Sequence, residues 1–190
     1  MQDIFYIRRS IRRFKERPVD KEILEEILDR ARLYPSAANL QPVRFIVTLS
    51  DERISRALPY LRWAAYVKPR RDPIPGKGPK ALVLVCHDRR VSDTPYVPYD
   101  VSAACQTLLL AAVEKGLGGC WLGAIDRDGL GSIFDISSHW YLHCVLALGY
   151  PDECPVIEQV KDGDIRYFLD QDDVLRVPKR SLSEVVLWVQ

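Results

Sequence analysis

Residues 100–115, DVSAACQTLLLAAVEK, constrain the fold more than any other stretch. Val101, Ala104, Cys105, Leu108, Ala112 and Val113 would line one side of a helix, and the rest of its surface is nearly as apolar. Such a helix cannot lie on a surface; it must run through the middle of the molecule. Gly116, Gly118 and Gly119 end it. A continuous apolar run, ALVLVCH at 81–87, reads as a strand buried on both faces. Around these two lie DKEILEEILDRARL at 20–33, an amphipathic helix with Asp20 as N-cap and Pro35 as stop, and a β-rich VRFIVTL at 43–49. Residues 51–66 are predicted helical, and the proline- and glycine-rich 67–79 is predicted to be a loop. A short strand is expected at 120–125, a short helix after Asp126, a long strand at 140–150, and a β-prone tail over 182–190. Strands and helices alternate without a strict βαβ repeat. This predicts an α+β layered fold with a mixed sheet.

The chain has 190 residues, 47% of them hydrophobic, which suits one domain over 1–190 with a sizeable core. Net charge is +1, and there is no long basic face, so a nucleic-acid partner is not expected. The opening is nevertheless basic: residues 1–17 carry six arginines and lysines against Asp3 and Glu16. Within FYIRRSIRRF, residues 5–14, four arginines fall in six positions and require a local anion. If the opening is helical, Arg8 and Arg12 share one face and Arg9 and Arg13 the next. Arginines from position 8 leave no apolar signal-peptide core, and no apolar run is long enough to cross a bilayer. Cys86, Cys105, Cys120, Cys144 and Cys154 are widely spaced and mostly in apolar runs, as expected of reduced thiols in a cytoplasmic protein.

Several motifs fail on inspection. GLGG at 116–119 follows a helix and lacks the third glycine of a dinucleotide loop. GKGPK at 76–80 lacks the spacing of a phosphate loop. His139 and His143 on a strand would stand roughly 13 Å apart, too far to share a metal. No G-x-S-x-G is present.

The segment YPSAANLQPVRF, 34–45, offers Ser36, Asn39 and Gln41 on a backbone stiffened by Pro35 and Pro42. Gln41, preceding a proline, is expected to be extended. Together, RRSIRRF and PSAANLQPVRF resemble the nitroreductase family of flavin enzymes, whose pattern is R-R-S-x-R-x-F followed by P-S-x-x-N-x-Q-P-W-x-F. The resemblance continues through DVSAACQTLLLAAVEKGLGGCWLGAI, VLALGYP at 145–151 and VPKRSLSEVV at 177–186. It implies a three-layer α/β/α sandwich with a mixed, mainly antiparallel sheet, in an intertwined homodimer. It also implies FMN at the subunit interface. By this resemblance Arg8, Arg9, Ser10 and Arg12 line one side of FMN, with Arg8 and Ser10 toward the phosphate and ribityl end and Arg12 toward the pyrimidine edge. Pro35, Ser36, Ala37, Asn39 and Gln41 come from the other subunit. Leu122, Gly123 and Ala124 present backbone to the flavin near N5, and Lys179 and Arg180 close on the phosphate. Arginine forks are well matched to a dianionic phosphate.

The activity so implied is ping-pong: NAD(P)H passes hydride to flavin N5, leaves, and a nitroaromatic, quinone or similar acceptor takes its place. No catalytic side chain and no metal is required. Val43 departs from the family's usual Trp, and residues 60–80 match no family motif. Lys68, Arg70, Arg71 and Lys77 are read as solvated loop cations. Rival readings are a specialised relative (dehalogenation, azoline oxidation or flavin breakdown) and a non-catalytic flavin-binding protein. Ser10, where flavin-destroying relatives tend to have Asp, argues against flavin breakdown.

Overall fold

The computed structural model describes residues 3–67 and 72–189. Its main sheet has four strands: β1 (Val43–Thr48), β2 (Ala81–Asp88), β3 (Gly118–Leu122) and β4 (Trp140–Gly149). They lie in the order β1-β2-β4-β3, and every pairing is antiparallel. All eight residues of β2 are buried, because helices cover both faces. Successive side chains alternate between faces. Ala81, Val83 and Val85 meet α2 (Lys21–Ala31) and α4 (Val97–Glu114), whereas Leu82, Leu84 and Cys86 meet α3 (Asp51–Ala57) and α5 (Arg127–Phe134). The result is the expected α/β/α sandwich. Among the described residues, parallel pairing occurs in one bridge on β3, at the edge of the main sheet, and in a small separate sheet. A small sheet of β5 (Val156–Gln159), β6 (Phe168–Leu169) and β7 (Leu175–Lys179) pairs β5 with β7 in parallel.

α4 packs one side on the sheet and α2, with Ala104, Cys105, Leu108 and Ala112 fully shielded, but Pro98, Tyr99, Ser102 and Gln106 are exposed, so the expectation of a helix buried all round holds for one side only in this single chain. It ends at Gly116, whose φ of +76° is a left-handed turn that suits glycine. Asp126 caps α5 by accepting from the Gly129 amide at 3.1 Å. Asp20 occupies the N-cap position of α2, but its side chain makes no capping bond. No helix among the described residues is long and apolar enough to cross a membrane.

Four other expectations change. The opening is helical only at α1 (Ile4–Ile7); Arg8 turns to φ −65°, ψ 108°, and the helix ends there. Ser10 forms a parallel bridge with Gly119, and the Ile11 amide donates to Gly119 O at 3.0 Å. Ile11 and Phe14 draw the run inward, and glycines let it lie close: a Cβ on Gly118 would stand 2.5 Å from Ile11, and one on Gly149 2.8 Å from the Phe14 ring. The pairing of arginines on helical faces therefore does not occur. The helix expected over 51–66 stops at Ala57, where Pro59 enters a tight turn at Leu58–Tyr60. The tail expected to be a strand instead forms α6 (Leu182–Val185), started by a capping box in which Ser181 and Glu184 satisfy each other's ends. Gln41 is not extended, for the reason given below. The expectations for Lys68, Arg70 and Arg71 lie outside the described residues.

Candidate functional site

Beyond α1, Arg9, Ile11, Arg12 and Phe14 are buried, whereas Arg8, Ser10 and Arg13 are half-buried. Arg9 serves the local fold. Its guanidinium donates to Phe5 O at 2.7 Å and to Tyr6 O at 2.8 Å, capping α1. Burial, and then the neighbouring charge of Arg8, lower its pKa. The Arg8 guanidinium makes no hydrogen bond or ion pair among the described residues. Arg12 is 9% exposed; its guanidinium donates to Ser10 O at 3.4 Å and lies beside the Cys120 thiol and the Tyr167 ring, and its Nε has no partner among the described residues. The Arg12 amide is accepted by Glu153, which also takes the Arg13 amide at 3.1 Å. The Cys120 thiol lies against Arg12: burial raises its pKa to about 11, with the guanidinium opposing.

The 35–41 loop is rigid by construction. Asp100, buried in the first turn of α4, accepts the Ala37 amide at 2.9 Å. Ser36 Oγ accepts the Gln41 amide at 3.0 Å, closing a turn. That closure forces Ala38, Asn39 and Gln41 to φ of 49°, 55° and 51°. The pre-proline preference for extended backbone is overridden at Gln41. Left-handed residues other than glycine cost on the order of 1 kcal/mol each and persist only where surroundings over-determine them. Pro35, Asn39 and Gln41 are exposed around this turn.

These two groups do not meet within one chain. The 35–41 loop is tied to Asp100 at the start of α4, whereas Arg9 and Ile11 share a cavity with Val113 and Leu117 at its end. Val113 lies thirteen helical steps beyond Asp100, about 20 Å along the axis. At the far end of β3, Leu122 is buried and Gly123 is exposed, with open space where a Cβ would project. The Ala124 carbonyl accepts the Arg62 amide at 3.1 Å. Lys179, at the end of β7, is exposed, and Arg180 pairs with Glu184 at 3.6 Å.

The sequence reading missed two constellations. His143 is not opposed to His139; its Nε2 lies 2.8 Å from Nδ1 of His87, whose Nε2 is 3.3 Å from Asp93. A β-bulge makes this possible. Val85 faces Cys144 and Cys86 faces Leu142, so His143 is the extra residue and turns toward His87. No group of three metal-ligating side chains forms among the described residues. Tyr167, outside any motif quoted above, lies under the Arg12 guanidinium. Neither had a local signal: His143 meets His87 through the pairing of β2 with β4, and Tyr167 meets Arg12 across more than 150 residues of chain.

The α/β/α sandwich and the arginine-rich segment laid along β3 define the class of fold, and comparison with known proteins identifies the family. The sequence profile of the Nitroreductase family matches residues 7–150; the chain belongs to that family. A Methanothermobacter thermautotrophicus protein with the provisional name NADH dehydrogenase/NAD(P)H nitroreductase is 34% identical over 161 residues, which cover 83% of this chain and 80% of that protein. A 5,6-dimethylbenzimidazole synthase of Rhodospirillum rubrum is 30% identical over 183 residues, 84% of this chain and 86% of that protein. Among solved structures, a provisionally named nitroreductase of Desulfovibrio desulfuricans in complex with FMN is 26% identical, with a TM-score of 0.68 over 98% of this chain and 95% of that one.

Proposed function

We propose that the chain is an FMN-dependent, NAD(P)H-using oxidoreductase, acting as one domain over 1–190 in a cytoplasmic homodimer with FMN between subunits. The carrying observation is the buried Arg12 Nε without a partner among the described residues, four residues on from Arg8, whose guanidinium makes no hydrogen bond or ion pair among them. A buried donor left bare is costly, and an anionic ligand edge resolves it. The open face at Gly123 suits a flat ring. Membership of the Nitroreductase family and the FMN-bound neighbour support the same group.

In this reading Arg8 and Ser10 bind the phosphate and ribityl end, joined by Lys179 and Arg180, and Arg12 faces the pyrimidine edge. Arg9 lines the site only through its backbone, since its guanidinium caps α1. Pro35, Ser36, Ala37, Asn39 and Gln41 of a second copy complete the pocket with a preformed turn, and Leu122, Gly123 and Ala124 offer backbone to the ring. Bound FMN would supply the hydride carrier between NAD(P)H and a nitroaromatic or quinone in ping-pong exchange. The test is an absorption spectrum after adding FMN and desalting, followed by NADH and NADPH oxidation with menadione and nitrofurazone as acceptors. Retained flavin bands and acceptor-dependent oxidation are expected; a chain that retains no FMN sinks the proposal.

The identity to a 5,6-dimethylbenzimidazole synthase supports a second reading, in which the chain forms that benzimidazole. Chromatographic detection of 5,6-dimethylbenzimidazole after incubation with FMN, a reductant and oxygen would favour it.

A further inference from the structure

Arg12 is held from two sides by the chain that follows β4. Glu153 fixes its backbone, and the Tyr167 ring fixes its side chain, with the guanidinium carbon 5.3 Å from the ring centroid. Tyr167 is itself well braced. It packs on the cluster of Ala64, Val67 and Leu175. It tilts at 60° against Tyr66, 5.1 Å away, and its hydroxyl accepts the Tyr66 amide at 3.5 Å.

The kind of partner matters. A carboxylate holding this guanidinium would use up its N–H groups and neutralise its charge. An aromatic face attracts the cation without accepting a hydrogen bond from its edge. The observed result is an arginine that is buried and oriented yet keeps Nε bare. We propose that Tyr167 is a positioning residue that fixes Arg12 with its charge and Nε donor reserved for the electron-rich edge of a bound ligand. The inference rests on the reading of that ligand as FMN and deepens it, because a cation at the pyrimidine edge favours the anionic reduced ring.

The test measures FMN affinity, by quenching of flavin fluorescence, and the midpoint potential of the bound flavin. Variants are Tyr167→Phe, Tyr167→Leu, Arg12→Ala and the double variant Tyr167→Leu with Arg12→Ala. Tyr167→Phe keeps the ring face and should match wild type in both readouts. Tyr167→Leu keeps bulk but loses the quadrupole, and FMN affinity should fall about tenfold. Its midpoint potential should drop as the reduced form loses its advantage, by about 30 mV for each tenfold in that preference. In the Arg12→Ala background, Tyr167→Leu should change neither quantity, since coupled residues are not additive. Unchanged affinity and potential in Tyr167→Leu, or fully additive losses in the double variant, overturn the inference. A wild-type chain that binds no FMN overturns the proposed function together with it, and this shows in the first titration before any variant is made.

Discussion

His143 is the side chain whose environment departs most from what its neighbours in sequence suggest. Burial, then His87, then Arg127 push its pKa down to about 4. His87 and Tyr141 pack against its ring, Asp93 lies on the far side of His87, and Arg89 and Arg127 sit over Tyr141. The folded state thus holds this histidine neutral, while the unfolded chain protonates near 6.5. A folded pKa below the unfolded one means that the contribution is complete above about pH 6.5 and is lost as pH falls toward 4. The magnitude is of the order of 1–3 kcal/mol, toward the lower end because the ring is part-exposed. Thermal melts between pH 7 and 4 should show this loss, and His143→Gln should flatten the slope. An unchanged slope would mean that the ring titrates freely. The sequence hid this pair because register cannot be counted through a bulge: His139 is the neighbour of His143 along its own strand, and the partner comes from β2. Gly149 was equally silent. Gly149→Ala would press a Cβ to 2.8 Å from the Phe14 ring. A destabilisation of about 1–3 kcal/mol in urea unfolding is expected.

α4 was legible as a core helix because its apolar residues need no tertiary information to be placed inward, although Pro98, Tyr99, Ser102 and Gln106 leave one side of it exposed. The loop it holds was legible only in part. Ser36, Asn39 and Gln41 stood out as polar groups on a stiff turn, yet the left-handed Ala38 and Gln41 follow from Asp100 and Ser36 reaching the backbone across space. The tail misled for a related reason: LSEVV is β-prone by composition, but Ser181 and Glu184 start a helix turn first. These contacts give α4 a definite task as an anchor. Asp100→Ala should leave the Ala37 amide without its acceptor and cost about 1–3 kcal/mol in equilibrium unfolding. Asp100→Asn retains an acceptor and should recover most of that loss. If the loop forms half of an FMN site, Asp100→Ala should also weaken FMN retention more than its effect on stability explains. Equal FMN affinity in the two variants would separate the loop from the cofactor.

The whole molecule poses a geometric problem that one copy does not solve. The arginine segment and the preformed loop stand at opposite ends of α4, about 20 Å apart along it. A flavin ring system cannot bridge them within one chain, so the proposed site requires the loop of a second copy. The tail is consistent with that demand: Leu187, Trp188 and Val189 are each at least 85% exposed, three consecutive apolar side chains without cover. A tryptophan alone can bury on the order of 150–250 Å², and a stable interface needs roughly 1,200–2,000 Å² in total. The tail would therefore be one contributor, with the exposed Phe5 and Tyr6 of α1 as others. Sedimentation of the full chain should give twice its 21.8 kDa mass. A chain shortened to end at Val185 should dissociate more readily on dilution and lose FMN in parallel with the dimer, because each site would be cut in half. A monomer that still retains FMN would show that the arginine segment binds the cofactor unaided, and the loop at the other end of α4 would need a different role.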